Sequence, residues 1–391
     1  MKLLFVCRGN PFAAPAGTEI FAGNLALELD RKGHEVHLIY EGKNSEKDLH
    51  LNKKHLKTHK LHLISIPYIR VLDFRRKCSA MVNSLMEKAE IDAIISFGSG
   101  TFGGHLFKEI KNLAKRPLLV YYAIDSMVAE YERSKPAFLR RGMIRLLEAW
   151  VQYREVIRSD NLSCRVADLV VASCKDTAQR MIKDYFLMPR KVKIVYFGIP
   201  DNFADGFKIH DTEVPTFLHV STNPERKGTF YFLQALKILQ DKYGVRVRGV
   251  IAGLEDSFYT NLAKTLDVNA FFLGEIPNDE LKQYYAMCTA LVSPSLSEGF
   301  CLPVIEAAMF RKPVIASKVG SLPDLVADGV NGFLTRPRDA TLLAKRMYSL
   351  VTNELLRKCM SESAREAAEK FKISVVADEF VKVLQQHKDY T

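Results

Sequence analysis

Short runs of Val, Ile and Leu recur along the chain, each followed by a longer stretch with helical spacing. No other feature constrains the fold as strongly. Runs at 2–6, 35–40, 61–66, 92–96, 118–124, 168–172 and 192–196 are mostly continuous in apolar character. Strands of that kind are buried on both faces, as in a parallel sheet covered by helices. Helical spacing occupies 17–32, 73–90 and 174–186. The β-α-β-α order predicts a doubly wound domain.

Turn chemistry interrupts the pattern at Phe197-Gly198-Ile199-Pro200-Asp201-Asn202, and the stretch to Pro215 is polar and mixed. The alternation then restarts, with strands expected at 216–221, 247–252, 270–273, 290–294 and 313–317 and helices at 228–242, 278–287 and 302–310. The remainder, from about Ala340 to His387, is helical, apolar at Leu342, Leu343, Met347 and Leu350 and again at Val375, Val376, Phe380, Val383 and Leu384. A length of 391 residues suits two domains. We place them at 1–198 and 215–370, with a linker at 199–214 and a C-terminal helix at 371–391 packing on the first domain. Ligands bind at the carboxyl ends of such strands, so a cleft between the domains is the expected active site.

Composition narrows the compartment and the partners. No stretch approaches the ~20 apolar residues of a membrane span. The run Leu3–Val6 is too short for a secretory signal, so a cytoplasmic chain is expected. Seven cysteines without a C-x-x-C pair fit reduced thiols better than disulfides or zinc. His55, His59 and His62 have helix-like spacing, but 61–66 reads as a strand that would separate them, and no Cys or acidic ligand is near. No metal is expected. The net charge of +11 fits phosphates or an anionic membrane surface, or simply a solvated exterior.

The most informative stretch runs from Ser293 to Ala307, Ser-Pro-Ser-Leu-Ser-Glu-Gly-Phe-Cys-Leu-Pro-Val-Ile-Glu-Ala. A strand ends at Pro294, a Ser-rich loop follows, and a helix begins with Pro303 in its first turn, where proline is tolerated. Unpaired N–H groups at such a helix start can bind an anion. Glu298 precedes the helix and Glu306 lies about two turns along it. One carboxylate can reach a sugar ring and the other a ribose. Taken alone, a capped helix with one buried, paired Glu explains the residues equally well.

With its downstream run Lys312–Ser317, Gly320–Asp324 and Asp328–Leu334, this stretch resembles the E-x7-E signature of the retaining GT-B glycosyltransferases (glycosyltransferase family 4, group 1 type). The resemblance implies an α/β chain of GT-B architecture, with two doubly wound Rossmann-like domains facing a cleft. The first would be the acceptor side, the second would bind the nucleotide-sugar, and the C-terminal helix would cross back to the first. It implies that Glu298 contacts the donor sugar and Glu306 the ribose, that Gly299 and Phe300 lie on the diphosphate cradle, and that Cys301 and Leu302 also belong to the donor site. Cys301 stands where the family usually has Gly.

A second donor element is Val220-Ser221-Thr222-Asn223-Pro224-Glu225-Arg226-Lys227-Gly228 at a strand end. A cation there can neutralise charge building on a leaving diphosphate without a metal, and the resemblance gives that task to Lys227. The family's usual Arg is replaced by Thr222, with Arg226 as the candidate substitute. Arg226 and Lys227 could also be solvated helix-start residues. A third element, Pro15-Ala16-Gly17-Thr18-Glu19, follows the first strand; Gly17 lets backbone approach a ligand, and the segment is similar to the family's Gly-Gly loop, with Ala16 for the first Gly. After the strand at 118–124, where the family often has His, the chain has Asp125, either an acceptor base or a helix N-cap. By resemblance only, Ala252-Gly253-Leu254, Glu275 and Ile276 join the donor site, and Ser173 closes the strand at 168–172 facing the cleft.

On the acceptor side, one basic stretch holds Lys53, Lys54, His55 and Lys57 with Arg70, Arg75, Arg76 and Lys77. A second holds Arg133, Lys135, Arg140, Arg141, Arg145, Arg154 and Arg158, interleaved with Phe138, Leu139, Met143, Ile144, Leu146, Leu147 and Trp150. It reads either as a basic amphipathic helix at a membrane face or as a core-packed helix with a solvated side. The leading expectation is a metal-independent hexosyltransferase without a cofactor. It would use a UDP- or GDP-hexose as donor and a glycan or lipid-linked acceptor in envelope polysaccharide or glycolipid synthesis, in the cytoplasm or at the inner membrane face. A non-catalytic nucleotide-sugar-binding protein is the alternative, since the usual Arg and His are absent. No nucleic-acid motif is present.

Overall fold

The computed structural model describes all residues except 13–16, 43–53, 64–66, 99–102, 114–115, 129–130, 132–142, 254 and 389–391. They fall into two compact units, Met1–Gly198 with Ile373–Thr391, and Ile199–Lys372.

In the first unit the chain runs through β1 (Lys2–Val6), α1 (Gly17–Arg31), β2 (Glu35–Glu41), β3 (Leu56–Leu61), α2 (Pro67–Lys88) and β4 (Ala93–Phe97). It continues through α3 (Gly103–Ile110), β5 (Leu118–Ala123), α4 (Met143–Val166), β6 (Leu169–Ala172), α5 (Lys175–Tyr185) and β7 (Val192–Ile194). The seven strands pair in parallel in the order β3-β2-β1-β4-β5-β6-β7. β1, β4, β5 and β6 are buried along nearly their whole length, which accounts for their continuous apolar runs. Cys174 caps α5, its Sγ accepting from the Thr177 N–H at 3.4 Å.

The second unit holds β8 (Thr216–Ser221), α6 (Pro224–Lys227), α7 (Thr229–Tyr243), β9 (Arg248–Gly253), α8 (Ser257–Thr265), β10 (Ala270–Gly274) and α9 (Asn278–Met287). β11 (Ala290–Ser293), α10 (Leu302–Met309), β12 (Val314–Ser317), α11 (Leu322–Leu325), β13 (Gly332–Thr335), α12 (Ala340–Thr352) and α13 (Glu354–Ala368) complete it. Its sheet is also parallel, in the order β10-β9-β8-β11-β12-β13. Phe217, Phe232, Leu236, Val292, Ile315, Leu343 and Met347 belong to its core. The chain then returns to the first unit as α14 (Ile373–Lys388), whose Phe380 is buried beside Phe5 and Tyr122.

Three expectations change. The third strand is Leu56–Leu61, not 61–66, and residues 64–66 lie outside the described residues. As an edge strand it pairs, among the described residues, only with β2 and is half-exposed through Lys57, Thr58, His59 and Lys60, so it lacks a continuous apolar run. α2 begins at Pro67, well before the helical spacing at 73. β13 is an additional strand, whose first three residues fall within the run read only as a family motif.

Candidate functional site

Both sheets reverse direction of winding beside their first strand. In an open parallel sheet the crevice at that reversal takes the ligand, because flanking loops part to opposite faces. In the second unit the reversal lies between β8 and β11. The loops leaving those strands carry Thr222–Gly228 and Pro294–Cys301.

One turn of helix, α6, forms because Asn223 caps it, accepting from the Arg226 N–H at 3.1 Å, and Pro224 fits its first position. Gly228 ends it at φ 75°, and a Cβ there would stand 2.0 Å from the Pro294 carbonyl oxygen. Only glycine allows the two loops to close so tightly. The Leu296 N–H donates to the Arg226 carbonyl at 2.8 Å and ties them further.

The result is a charged cluster around Glu298. The Lys227 ammonium donates to Oε1 at 2.7 Å and the Ser295 hydroxyl to the same oxygen at 2.6 Å. Arg226 donates to Oε2 at 3.2 Å and to the Ser297 carbonyl at 3.0 Å. Glu298 and Lys227 are buried, whereas the Arg226 side chain is 40% exposed. Burial pushes the Glu298 carboxyl up, but Lys227 and Arg226 outweigh it and hold the group below its ordinary value. Burial likewise opposes the charge on Lys227, and Glu298 reverses that and raises the ammonium above its ordinary value. Both groups are ionised at neutral pH. Gly320, at φ 53°, supports the arrangement from below: a Cβ there would meet the Glu298 carbonyl oxygen at 1.9 Å.

Beneath the cluster, His219 Nδ1 lies 2.9 Å from the Val292 carbonyl and Nε2 lies 3.0 Å from Thr229 Oγ1. Since a carbonyl only accepts, Nδ1 carries the proton and Nε2 accepts from Thr229. Thr229 Oγ1 is 3.1 Å from Ser221 Oγ, so one buried chain of hydrogen bonds links β8, β11 and the start of α7. Burial lowers His219 to about 4, and it is neutral.

Glu306 projects from α10 and accepts from the Tyr285 hydroxyl at 2.7 Å. Burial raises the Glu306 carboxyl above its ordinary value, against the pull of Tyr285, Lys227 and Lys282. The start of α10 is less open than a free helix N-terminus. The Cys301 N–H donates to Ser321 Oγ at 3.2 Å, the Val304 N–H to the Cys301 carbonyl at 3.1 Å, and Pro303 has none. The Leu302 N–H has no partner among the described residues. Phe300 packs edge-on against Phe371, and Cys301 is buried beside Ser293, its thiol pushed by burial to about 11.

Glu298, Lys227, Arg226, Glu306, Gly299, Phe300, Cys301 and Leu302 thus gather at this reversal. Thr222 is exposed just beyond β8. Gly253 ends β9 at φ 123°, and Glu275 and Ile276 follow the edge strand β10. Leu254 lies outside the described residues. Ser295, Ser321, His219 and Tyr285 join the site without having been singled out by sequence.

The remaining candidates belong to the first unit. Gly17 and Thr18 open α1, and Thr18 lies near Gly98 at the β4 carboxyl end. Pro15 and Ala16 lie outside the described residues. Asp125 follows β5 and accepts from the Ser126 N–H at 2.8 Å, and Arg180 on α5, whose pKa Asp176 chiefly raises against burial, also feels its charge. Ser173 is fully buried and donates to the Ile124 carbonyl at 3.0 Å, which commits its hydroxyl to joining β5 and β6. His59 sits on β3 with Nε2 3.1 Å from His37 Nδ1. No group of three metal-ligating side chains occurs among the described residues. Among them no helix is long and apolar enough to cross a membrane. Residues 132–142 of the basic stretch lie outside the description, as do Lys53 and the side chain of Arg145.

Two family descriptions meet on this chain. The one for glycosyltransferase family 4 matches residues 15–203, and the one for glycosyl transferases group 1 matches residues 203–367. The chain belongs to this glycosyltransferase family. A similar curated protein is an uncharacterised glycosyltransferase of Methanocaldococcus jannaschii, 39% identical over 99 residues, covering 25% of this chain and 28% of that protein. Longer matches to curated relatives reach 58% of their length, so the chain spans less than two thirds of the curated relatives it matches. Among solved structures, sucrose-phosphate synthase from Thermosynechococcus elongatus aligns with TM-score 0.79 and 18% identity over 100% of both chains. HepE of Anabaena, solved with UDP and glucose, aligns with TM-score 0.71 and 20% identity over 99% of this chain and 100% of that one. The two Rossmann-like units of this glycosyltransferase are those of the GT-B architecture.

Proposed function

We propose that this glycosyltransferase moves a hexosyl unit from a nucleotide-diphosphate sugar to a glycan or lipid-linked acceptor, with retained anomeric configuration and without a metal ion. Envelope polysaccharide or glycolipid synthesis is the fitting context for a basic, phosphate-seeking chain. The reading is carried by one observation: two cations, Lys227 and Arg226, converge on the buried Glu298 at the reversal of the second sheet. A site that must stabilise a departing diphosphate needs fixed positive charge that does not reorganise during reaction. Glu298 orients Lys227, and Arg226 supplies the second cation that Thr222 cannot. The bond from the anomeric carbon to the diphosphate breaks with its electron pair going to phosphate oxygen. The acceptor oxygen bonds from the same face, and its proton passes to the departing phosphate. Glu306 takes the ribose. The UDP and glucose held by the similar HepE fold favour UDP-hexoses as the first donors to try. On the first unit, Trp150, Arg154 and Arg158 would face an anionic membrane surface.

Incubating the protein with UDP-glucose or GDP-mannose and following the released sugar by NMR tests the reading. The expected first product is the anomer of the donor, formed equally in EDTA. Lys227→Ala should lower kcat by roughly 10²-fold or more. Release of the opposite anomer would remove retention. Full activity in Lys227→Ala would remove the assigned chemistry, and absence of turnover with intact nucleotide binding would favour a binding protein.

A further inference from the structure

We infer that Tyr285 is a positioning residue for the nucleotide ribose, holding Glu306 by one oxygen so that its other oxygen meets the ribose diol. The inference rests on the reading of Glu306 as the ribose contact and extends it to a residue on a different helix, outside the motif.

Tyr285 lies on α9 and is fully buried. Its ring stacks on Phe310, centroids 5.9 Å apart and 21° between planes, and Phe310 in turn meets Phe203 and Phe207 edge-on. The ring therefore cannot swing away. Its hydroxyl donates to Glu306 Oε2, while Oε1 has no hydrogen-bond partner among the described residues. Burial and the adjacent Glu306 raise the phenol far above its ordinary value, so it remains a donor at any working pH.

A carboxylate that accepts from a ribose diol must be ionised and correctly turned. Burial favours its protonated form. The groups that face it are Tyr285 and Lys282 on α9 and Lys227 on α6; Cys301 and Cys288 act on Tyr285. Lys227 is committed to Glu298 at 2.7 Å, and Lys282 is 3.0 Å from Asp279 and lies over the rings of Phe203 and Phe207. Tyr285 alone hydrogen-bonds the Glu306 carboxylate among the described residues. It fixes the carboxylate's rotation and opposes its protonation. A pocket built to hydrogen-bond a substrate hydroxyl discriminates strongly against the analogue without it, so this pair sets the preference for a ribonucleotide.

Calorimetric titration of the full chain with UDP, GDP and their 2′,3′-dideoxy counterparts, from about pH 6 to about pH 8.5, tests this. The wild type should prefer the ribonucleotide by about tenfold or more. Tyr285→Phe should cut that preference to about twofold and move the loss of affinity on acidification to higher pH. Glu306→Gln should bind without that pH dependence, and adding Tyr285→Phe to Glu306→Ala, which leaves the hydroxyl nothing to hold, should cost nothing further. Equal losses from Tyr285→Phe in the wild-type and Glu306→Ala backgrounds mean a packing role and overturn the inference. So does a Tyr285→Phe protein with the wild-type preference and pH profile. A wild type indifferent to the ribose hydroxyls overturns the reading of Glu306, and the inference with it. Thermal midpoints of the free proteins separate a folding defect from a binding one.

Discussion

At the scale of single residues, the proposed donor site is a problem of buried charge. An ion pair such as Lys227–Glu298 adds little net stability, because desolvation offsets attraction, and its retention fits a chemical task better than a structural one. His219 beneath it has the opposite character, a titratable group kept neutral. Its folded pKa is about 4 against an ordinary 6.5. The unfolded chain therefore takes up a proton first as pH falls. The stability tied to His219 is complete above pH 6.5 and is lost toward pH 4, about 3 kcal/mol over the window. Denaturant unfolding of the second unit at several pH values should show this slope, and His219→Phe should flatten it; an unchanged slope in the variant would refute the assignment. The variant also allows for Glu298, whose depressed pKa makes its contribution fail in a lower range. Glu298, Glu306, Lys227 and Arg226 are legible in the sequence because each motif is a short segment at one strand end. Tyr285, Ser321 and His219 are not, because they reach the same point from separate segments, and a buried Tyr or His in a strand or helix pattern looks like core.

At the scale of elements, parallel strands buried on both faces announce themselves as continuous apolar runs, which is why β1, β4, β5 and β6 are readable. Edge strands do not. β3 carries Lys57, Thr58, His59 and Lys60, and the apolar run after it drew the expected strand too far along the chain. The helix α4 combines both kinds of signal. Ser159, Asp160 and Ser163 are buried on one side of it, and Asp160 accepts from the hydroxyls of Tyr121 and Tyr185. Trp150, Arg154 and Arg158 follow at every fourth position, which places them on one stripe. Trp150 is 46% exposed, and the Arg154 guanidinium lies 5.3 Å from the centre of its ring. An exposed indole with cations beside it fits the headgroup layer of an anionic bilayer. Co-sedimentation should favour phosphatidylglycerol vesicles over neutral ones and weaken with salt. Reversing Arg154 and Arg158 to Glu should reduce binding roughly tenfold or more, at about 1 kcal/mol per cation. Equal association with neutral and anionic vesicles would dismiss the contact.

At the scale of the whole molecule, the two units differ in how the chain builds them. The second is one continuous stretch, Ile199–Lys372, whereas the first is closed only when α14 returns to it. α14 buries Ile373, Val376, Ala377, Phe380 and Leu384. Phe380 stands edge-on to Phe5 at 6.2 Å and near Tyr122 at 6.3 Å. Lys32 on α1 reaches Asp378 at 2.7 Å, and His387 reaches the Asp168 carbonyl at 3.1 Å. Deleting this helix would uncover Phe5 and Tyr122 in the middle of the first sheet, an exposure a small reserve of stability cannot absorb. Phe380→Ala is a gentler form of the same change and should cost about 3–5 kcal/mol, as large-to-small changes at fully buried aromatics do. The cost falls on the first unit, since every contact named for α14 lies within it. Calorimetry of the full chain should therefore resolve two transitions, one of which moves in Phe380→Ala and disappears when the chain stops at Lys372. The other should persist and rise with added UDP or GDP if the donor site is complete within the second unit. A single transition that shifts as a whole in Phe380→Ala would show that the two units unfold together and that α14 supports both.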